Sequence, residues 1–301
     1  MNQIDILEAF TEWQNPILTF FATIFTFLGN EEFYFIILPF VYWCISKPIG
    51  FRLFYVFLVS IFINAFLKIQ FAVQRPIGIE GINSLFVSSA EVGSHYPYDS
   101  FPSGHAQGSM TLWGYLALII RNKWFSLFAV LLILSISLSR LYAGVHWPTD
   151  VLTGIGIGLA VILAGYFLQE KIASLPAGVH WGLVIAFPSL LTAIFPHSEG
   201  LKYAGFLLGA GIGYLLEKQH VQMKIPQNWL KKSIAFGVGF VGIIAFQSGV
   251  KIIFPETATY DFIRYGLIGL WGLLGAPYVF VKLGLYPKGG HSTQNKKTLS
   301  A

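Results

Sequence analysis

The chain has 301 residues, of which 55% are hydrophobic and only 11% are charged. Soluble domains carry about 25% charged residues, so this composition excludes an ordinary soluble protein and predicts an integral membrane protein. The single cysteine, Cys44, excludes an intrachain disulfide and a cysteine-based metal cluster. The net charge of +5 comes from basic residues in short loops between apolar segments. This pattern is a topology signal and not a nucleic-acid-binding surface.

Apolar segments long enough to cross a bilayer follow one another along the chain. A transmembrane helix needs about 17–25 residues. This length predicts ten helices, near residues 14–29, 32–46, 52–72, 104–120, 124–141, 149–168, 179–196, 202–216, 232–253 and 260–282. The predicted fold class is therefore all-α, a polytopic membrane helix bundle. Residues 1–170 form a six-helix core, and residues 171–301 add about four transmembrane helices and a polar cytoplasmic tail.

The basic residues predict the orientation of the chain. With the amino terminus inside, thirteen of the nineteen Lys and Arg residues fall in inner loops and the tail. This bias places both termini in the cytoplasm under the positive-inside rule. The outer ends hold the other six: Lys68, Arg75, Arg140, Lys202, Lys251 and Arg264. The first three need another explanation, because their segments also carry histidine and aspartate.

Lys68 and Arg75 lie at the outer end of the third predicted helix. They are seven residues apart, which is two helical turns and hence one face, and Pro76 marks the helix exit. Two cations on one face repel unless an anion or an acid lies between them. The alternative is a pair of basic side chains that reach the membrane interface independently.

The loop from Ile77 to Ser100 is long for a connection between membrane helices. It contains Glu80, Glu91 and Asp99. We expect it either to cap a pocket and select the substrate or to be a mobile outer loop.

The segment Phe101-Pro102-Ser103-Gly104-His105 leads into the fourth predicted helix. Ser103 is where an N-cap belongs, and Gly104 lets the backbone approach a ligand closely. The free N–H groups of this helix start would form an anion site, with His105 facing the same space. The alternative is an ordinary cap followed by an incidental histidine.

Arg140, His146 and Asp150 interrupt an almost continuously apolar sequence. An Arg or Asp at membrane depth costs about 2.5–3.5 kcal/mol on insertion scales, so the cluster indicates either function or a helix end at the interface. Pro148 suits the first turn of the sixth helix, which puts Asp150 one turn after His146. The carboxylate can then accept a hydrogen bond from one imidazole nitrogen and leave the other as a neutral nucleophile or base.

Together, three cations, two histidines, a capped helix start and a carboxylate suit a phosphate dianion. The combined pattern resembles the signature of the type 2 phosphatidic acid phosphatase family, which is related to vanadate-dependent haloperoxidases. Its three parts are Lys68-x6-Arg75-Pro76, Pro102-Ser103-Gly104-His105 and Ser139-Arg140-x5-His146-x3-Asp150. The resemblance covers about the first 170 residues.

This resemblance implies a role for each residue. His146 attacks phosphorus to form a phosphohistidine, and Asp150 holds its tautomer. His105 protonates the leaving oxygen and later activates the water. The phosphoryl oxygens are held by Lys68, Arg75, Ser103, Gly104 and Arg140. No metal and no cofactor are implied.

The implied protein is a lipid phosphatase of a bacterial plasma membrane, with its site at the outer face. Its partners are the bilayer and a phosphorylated lipid of the undecaprenyl diphosphate, phosphatidylglycerophosphate or phosphatidate type. Two alternatives are a phosphotransferase using the same phosphohistidine and a non-catalytic lipid-phosphate binding or transport protein. A haloperoxidase is disfavoured because those relatives are soluble. The oligomeric state stays open.

Overall fold

The computed structural model describes residues 2–85, 95–255 and 257–289. In these ranges the regular secondary structure is helical, apart from one isolated bridge between Met223 and Lys288. The helices are α1 (Gln3–Glu12), α2 (Pro16–Phe27), α3 (Glu31–Phe40), α4 (Lys47–Phe71), α5 (Gly104–Ser109), α6 (Tyr115–Ile120), α7 (Lys123–Tyr142), α8 (Pro148–Ala173), α9 (Ala177–Ile194), α10 (Ser198–Leu216), α11 (Trp229–Ile253), α12 (Ala258–Leu270) and α13 (Ala276–Lys282).

Four π-helical segments extend or join these helices. They are Val41–Ile45 after α3, Met110–Gly114 between α5 and α6, Glu217–Val221 after α10, and Trp271–Gly275 between α12 and α13. With these segments included, each of the ten predicted helices is present. The all-α fold class is therefore confirmed.

The helices are those of a multi-pass membrane protein. Within the described residues, α4, α7, α8, α9, α11 and the continuous stretch from α12 to α13 are long and apolar enough to cross a bilayer. The other predicted spans differ from the expectation. Helix α2 and helix α3 with its π-helical extension meet at a bend of 52° and pass the same test only together, and the helices near 104–120 and 202–216 are not among those that pass it. The middle of the 77–100 loop and most of the tail lie outside the described residues.

Helices α10 and α12 pack with their backbones in close approach. A Cβ atom added at Gly205 or Gly209 would collide with the carbonyl oxygens of Phe262 and Gly266, respectively. The glycines in α10 therefore allow a contact that larger side chains would prevent, as is common between membrane helices.

A second close approach brings the segments of the predicted site together. A Cβ at Gly154 in α8 would lie 2.7 Å from the carbonyl oxygen of Ser103, and one at Gly158 would lie 2.9 Å from that of Gln107. The start of α5 is thereby held against the start of α8. The backbone N–H of Ser103 donates to the Asp150 carbonyl oxygen across this contact at 3.0 Å.

The C-terminal helices pack against α3 and α4. The Tyr55 hydroxyl donates to the Leu207 carbonyl oxygen at 2.8 Å, and Trp43 Nε1 donates to that of Gly272 at 2.8 Å. Buried polar side chains need partners, and these two find them on the opposite element. The boundary at residue 170 stays a prediction.

Candidate active site

Lys68 and Arg75 are buried beside a shared carboxylate, that of Asp99. Arg75 donates from Nε to Asp99 Oδ1 at 2.7 Å and from Nη2 to Oδ2 at 3.1 Å. Lys68 Nζ donates to the Asp99 backbone oxygen at 2.5 Å and lies 3.8 Å from Oδ2. The acid expected between the two cations is therefore present, and the 77–100 loop supplies it.

The prediction that Lys68 and Arg75 lie on one face of the same helix is wrong. Helix α4 ends at Phe71, and Ala72 follows in the left-handed conformation with φ of 45°. Arg75 thus lies in an extended segment beyond the helix, where its backbone N–H donates to Pro97 O at 2.9 Å. The two cations come together because the chain turns back towards α4, not because they share helical periodicity.

His146 lies in the loop between α7 and α8, and Asp150 lies in the first turn of α8. His146 Nδ1 is 3.4 Å from Asp150 Oδ2. The same carboxylate oxygen accepts hydrogen bonds from Ser100 Oγ at 2.5 Å and from the Trp147 N–H at 2.9 Å. The predicted spacing therefore brings the imidazole and carboxylate together, and Ser100 is a third member of the group.

The other ring nitrogen of His146 faces the cations. Arg75 Nη1 lies 3.4 Å from His146 Nε2. A guanidinium has only donors, so Nε2 must present its lone pair and the ring hydrogen must lie on Nδ1, towards Asp150. This tautomer leaves the Nε2 lone pair at the cationic end of the site.

The surroundings of His146 favour its neutral form. Burial lowers the pKa of His146 well below its usual range, and the charges of Arg75, Lys68 and Arg140 lower it further. Both effects act against adding a positive charge to the ring.

Ser103 caps α5, as predicted, and its Oγ accepts from the Ala106 N–H at 3.5 Å. His105 follows in the first turn, with Nε2 2.8 Å from Asn30 Oδ1. An amide oxygen only accepts, so Nε2 carries the hydrogen. Within the described part of the chain, His105 Nδ1 is buried without a hydrogen-bond partner. It is therefore the nitrogen available to exchange a proton. A Cβ added at Gly29 would lie 2.7 Å from the His105 ring, so glycine is needed there for close approach.

Arg140 lies in the last turn of α7 with its side chain fully buried. Its Nη1 donates to Thr26 Oγ1 on α2 at 3.0 Å. Thr26 Oγ1 also lies 3.3 Å from Ser139 Oγ. Arg140 is thus a structured part of the site and not an interfacial side chain that extends to the membrane surface.

The structure brings the residues of the three predicted motifs into one buried cluster. It also adds four residues to which the sequence analysis assigned no role at the site: Thr26, Asn30, Asp99 and Ser100. Asn30 occupies the N-cap position of α3 but makes no side-chain cap bond, because its amide faces His105. The sequence contains one indication of a role for Asp99, because this acid lies in the loop between two cationic motifs.

Two ranges of the chain match one family. Residues 49–173 match the PAP2 superfamily, and residues 201–288 match the transmembrane extension of PAP2 superfamily phosphatases. The chain belongs to the PAP2 superfamily. The first range contains all eight predicted site residues. The family resemblance that the three motifs indicate is therefore confirmed.

Curated PAP2 relatives are longer than the stretch they share with this chain. The chain is 25% identical to a probable sphingosine-1-phosphate phosphatase of Dictyostelium discoideum, over 74% of this chain and 59% of the relative. It is 32% identical to an undecaprenyl-diphosphatase of Sulfolobus acidocaldarius, over 38% of this chain and 52% of the relative. The chain thus spans a little over half the length of these relatives.

A solved PAP2 structure is also similar. It is a transmembrane phosphatidylglycerolphosphate phosphatase of Bacillus subtilis, 23% identical, with a TM-score of 0.48. The similarity covers 58% of this chain and 87% of that one.

Proposed function

We propose that the protein is a membrane lipid phosphatase that hydrolyses a phosphomonoester or diphosphate through a phosphohistidine on His146. The observation that carries this proposal is the orientation of the His146 ring. Its Nδ1 faces Asp150 at 3.4 Å, and its Nε2 faces Arg75 at 3.4 Å. A neutral, oriented nucleophile beside fixed cations is the arrangement that phosphoryl transfer requires.

In the first step, His146 Nε2 attacks phosphorus and the bond from phosphorus to the lipid oxygen breaks. The negative charge of the bound phosphate favours a second proton on the His105 ring, taken up from solvent at Nδ1. His105 Nδ1 gives this proton to the leaving oxygen, while Asn30 Oδ1 keeps the Nε2 hydrogen bond. The Asp150 carboxylate stabilises the positive charge that develops on His146. Arg75, Lys68 and Arg140 stabilise the added charge on the phosphoryl oxygens, together with Ser103 and the Gly104 N–H.

In the second step, a water oxygen bonds to phosphorus and the bond from phosphorus to Nε2 breaks. His105 Nδ1 takes the water proton, which restores its first state. The sum is lipid phosphate and water giving lipid alcohol and inorganic phosphate. In this scheme the buried cations neutralise charge at phosphorus, so the residues perform both steps without a metal.

The substrate proposal rests on the relatives and on the membrane helices. The names of the relatives specify a sphingoid-base phosphate and a polyprenyl diphosphate. What these share is a phosphoryl group on a long hydrocarbon chain. We therefore propose a lipid of this kind, including the phosphatidylglycerophosphate and phosphatidate types, as substrate.

The orientation proposal rests on the distribution of Lys and Arg. It places both termini in the cytoplasm and the site at the outer face of the plasma membrane. A lipid in the outer leaflet would then reach the site without crossing the bilayer.

The test is phosphate release by the purified protein in EDTA, from undecaprenyl diphosphate, phosphatidylglycerophosphate, phosphatidate and lysophosphatidate. The matched control is His146→Ala. We expect release from at least one lipid, unchanged by EDTA and lost in the variant. Transfer of phosphate to an added alcohol without release would indicate a phosphotransferase. No turnover of any of these lipids by folded protein would contradict the proposal.

A further inference from the structure

A cavity lies between the PAP2 helices and the C-terminal extension. Its volume is about 110 Å³, and part of it is open to the surroundings. Its walls come from α3, α4, α10, α11, α12 and the segment Trp271–Gly275. The extension therefore forms one side of the cavity.

One end of the cavity reaches the candidate active site. Lys68 and Gly104 line it there. Glu31 also lines it and directly follows Asn30, which contacts His105. Glu199 and Lys202 add a salt bridge of 3.3 Å to the lining. The charged groups of the lining thus include a phosphate-binding lysine.

The wall along α4 is apolar and long. It runs from Lys68 to Gly50 and includes Phe54, Leu58 and Ile61. Eighteen residues of α-helix rise about 27 Å. This is close to the roughly 30 Å of hydrocarbon in a bilayer. A cationic end joined to a long apolar chamber matches the polarity of a lipid phosphate.

The end of the cavity away from Lys68 contains open space. Gly272 lines the cavity and is buried, yet a Cβ added to it would meet no atom within 4 Å. Its carbonyl oxygen accepts from Trp43 Nε1 at 2.8 Å, so the backbone is fixed there. A side chain placed at this position would therefore project into the chamber without a clash.

We infer that this cavity binds the hydrocarbon chain of the lipid phosphate, with its phosphoryl group at Lys68. The C-terminal extension then selects substrates by chain length, because Gly272 and Leu273 line the end farthest from the phosphate. The inference rests on the proposed function for the identity of its ligand. It assigns to the extension a role in substrate selection.

The test measures binding, so that it does not depend on turnover. Lysophosphatidates with stearoyl and octanoyl chains are titrated into the full chain carrying His146→Ala, with and without Gly272→Leu or Gly272→Ala. The matched control is Gly237→Leu in α11, an exposed position where an added Cβ also meets no atom. Circular dichroism and octanoyl binding show that each variant is folded.

We expect the stearoyl lipid to bind more tightly than the octanoyl lipid in the parent. Gly272→Leu should weaken stearoyl binding about tenfold or more, since a single misplaced methylene group in an apolar pocket costs about 10–200-fold. Gly272→Ala should give a smaller loss, and Gly237→Leu none. An unchanged stearoyl preference in Gly272→Leu would overturn the inference. If these binding results are obtained but the wild-type protein releases no phosphate from any lipid, the cavity binds the lipid chain and the proposed function is wrong.

Discussion

Asp99 holds the guanidinium of Arg75 by both of its carboxylate oxygens, at 2.7 and 3.1 Å. This contact uses Nε and Nη2, and it leaves Nη1 directed at His146 Nε2. A bidentate pair of this kind fixes the plane of the guanidinium as well as its position. Asp99 therefore positions the cation that faces His146. It is also the counter-charge for two buried cations.

Replacing Asp99 by Asn keeps the shape of the side chain but removes its charge and one arm of the fork. We expect kcat to fall about 10–100-fold, by analogy with the loss seen when the hydrogen-bond partners that orient metal ligands are removed. Inhibition by inorganic phosphate should become stronger, because the cations lose a competing anion. The measurement is steady-state turnover with a phosphate inhibition series, beside Glu80→Gln at an exposed position of the same loop. Equal loss of turnover and phosphate binding would show that Asp99 only maintains the fold.

Asp150→Asn should change the tautomer of His146. The carboxylate accepts from Ser100 and from the Trp147 N–H and lies 3.4 Å from His146 Nδ1, and an amide can replace only part of this pattern. We expect kcat to fall on the order of 10⁴-fold with little change in KM, as when a buried aspartate that orients a catalytic histidine is amidated elsewhere. Ser100→Ala, which removes one donor to the carboxylate, should cost much less. A folded Asp150→Asn protein with unchanged kcat would remove Asp150 from the mechanism.

His146 should become protonated only at a pH below the usual pKa range of histidine. The unfolded chain binds a proton at His146 near pH 6.5, whereas burial and the neighbouring cations hold the pKa of the folded group well below that value. The unfolded state therefore binds the proton more tightly, and stability present above about pH 6.5 is lost as the pH falls. Thermal unfolding at pH 7 and pH 5 should show a larger loss for the wild type than for His146→Ala. Equal losses would place the His146 pKa at its ordinary value.

Labelling of introduced cysteines tests the orientation. Tyr98 is exposed beside the site, and Gln219 is exposed beyond the opposite end of α10. The natural Cys44 is buried and should stay silent. A membrane-impermeant thiol reagent should label Tyr98→Cys in intact cells and Gln219→Cys only after permeabilisation. The reverse pattern would invert the proposed topology.

Local features of the site could be predicted from the sequence. The Ser103 cap and the start of α8 at Pro148 depend on residues within one helical turn. The approach of His146 to Asp150 follows from a spacing of four residues at that helix start. The spacing of Gly205 and Gly209 is likewise a local pattern, since small residues at helical spacing are typical of close packing between membrane helices.

Long-range contacts could not be predicted in this way. Asn30 and Thr26 contact His105 and Arg140, which lie 75 and 114 residues further along the chain. Neither pairing has a local pattern. The path of the chain from α4 to Arg75 was also not predicted, since nothing in the apolar sequence around Phe71 marks the left-handed residue that follows it. The role of Asp99 depends on how its loop folds back, which sequence spacing does not encode.

The most direct test of the central claim is the stereochemical course at phosphorus. The substrate is a lipid phosphorothioate made chiral with oxygen isotopes, hydrolysed in isotopically labelled water. A phosphohistidine on His146 requires two in-line displacements, each of which inverts phosphorus, so the account predicts net retention of configuration. Net inversion would mean that water attacks the lipid phosphate directly, and it would contradict the role proposed for His146.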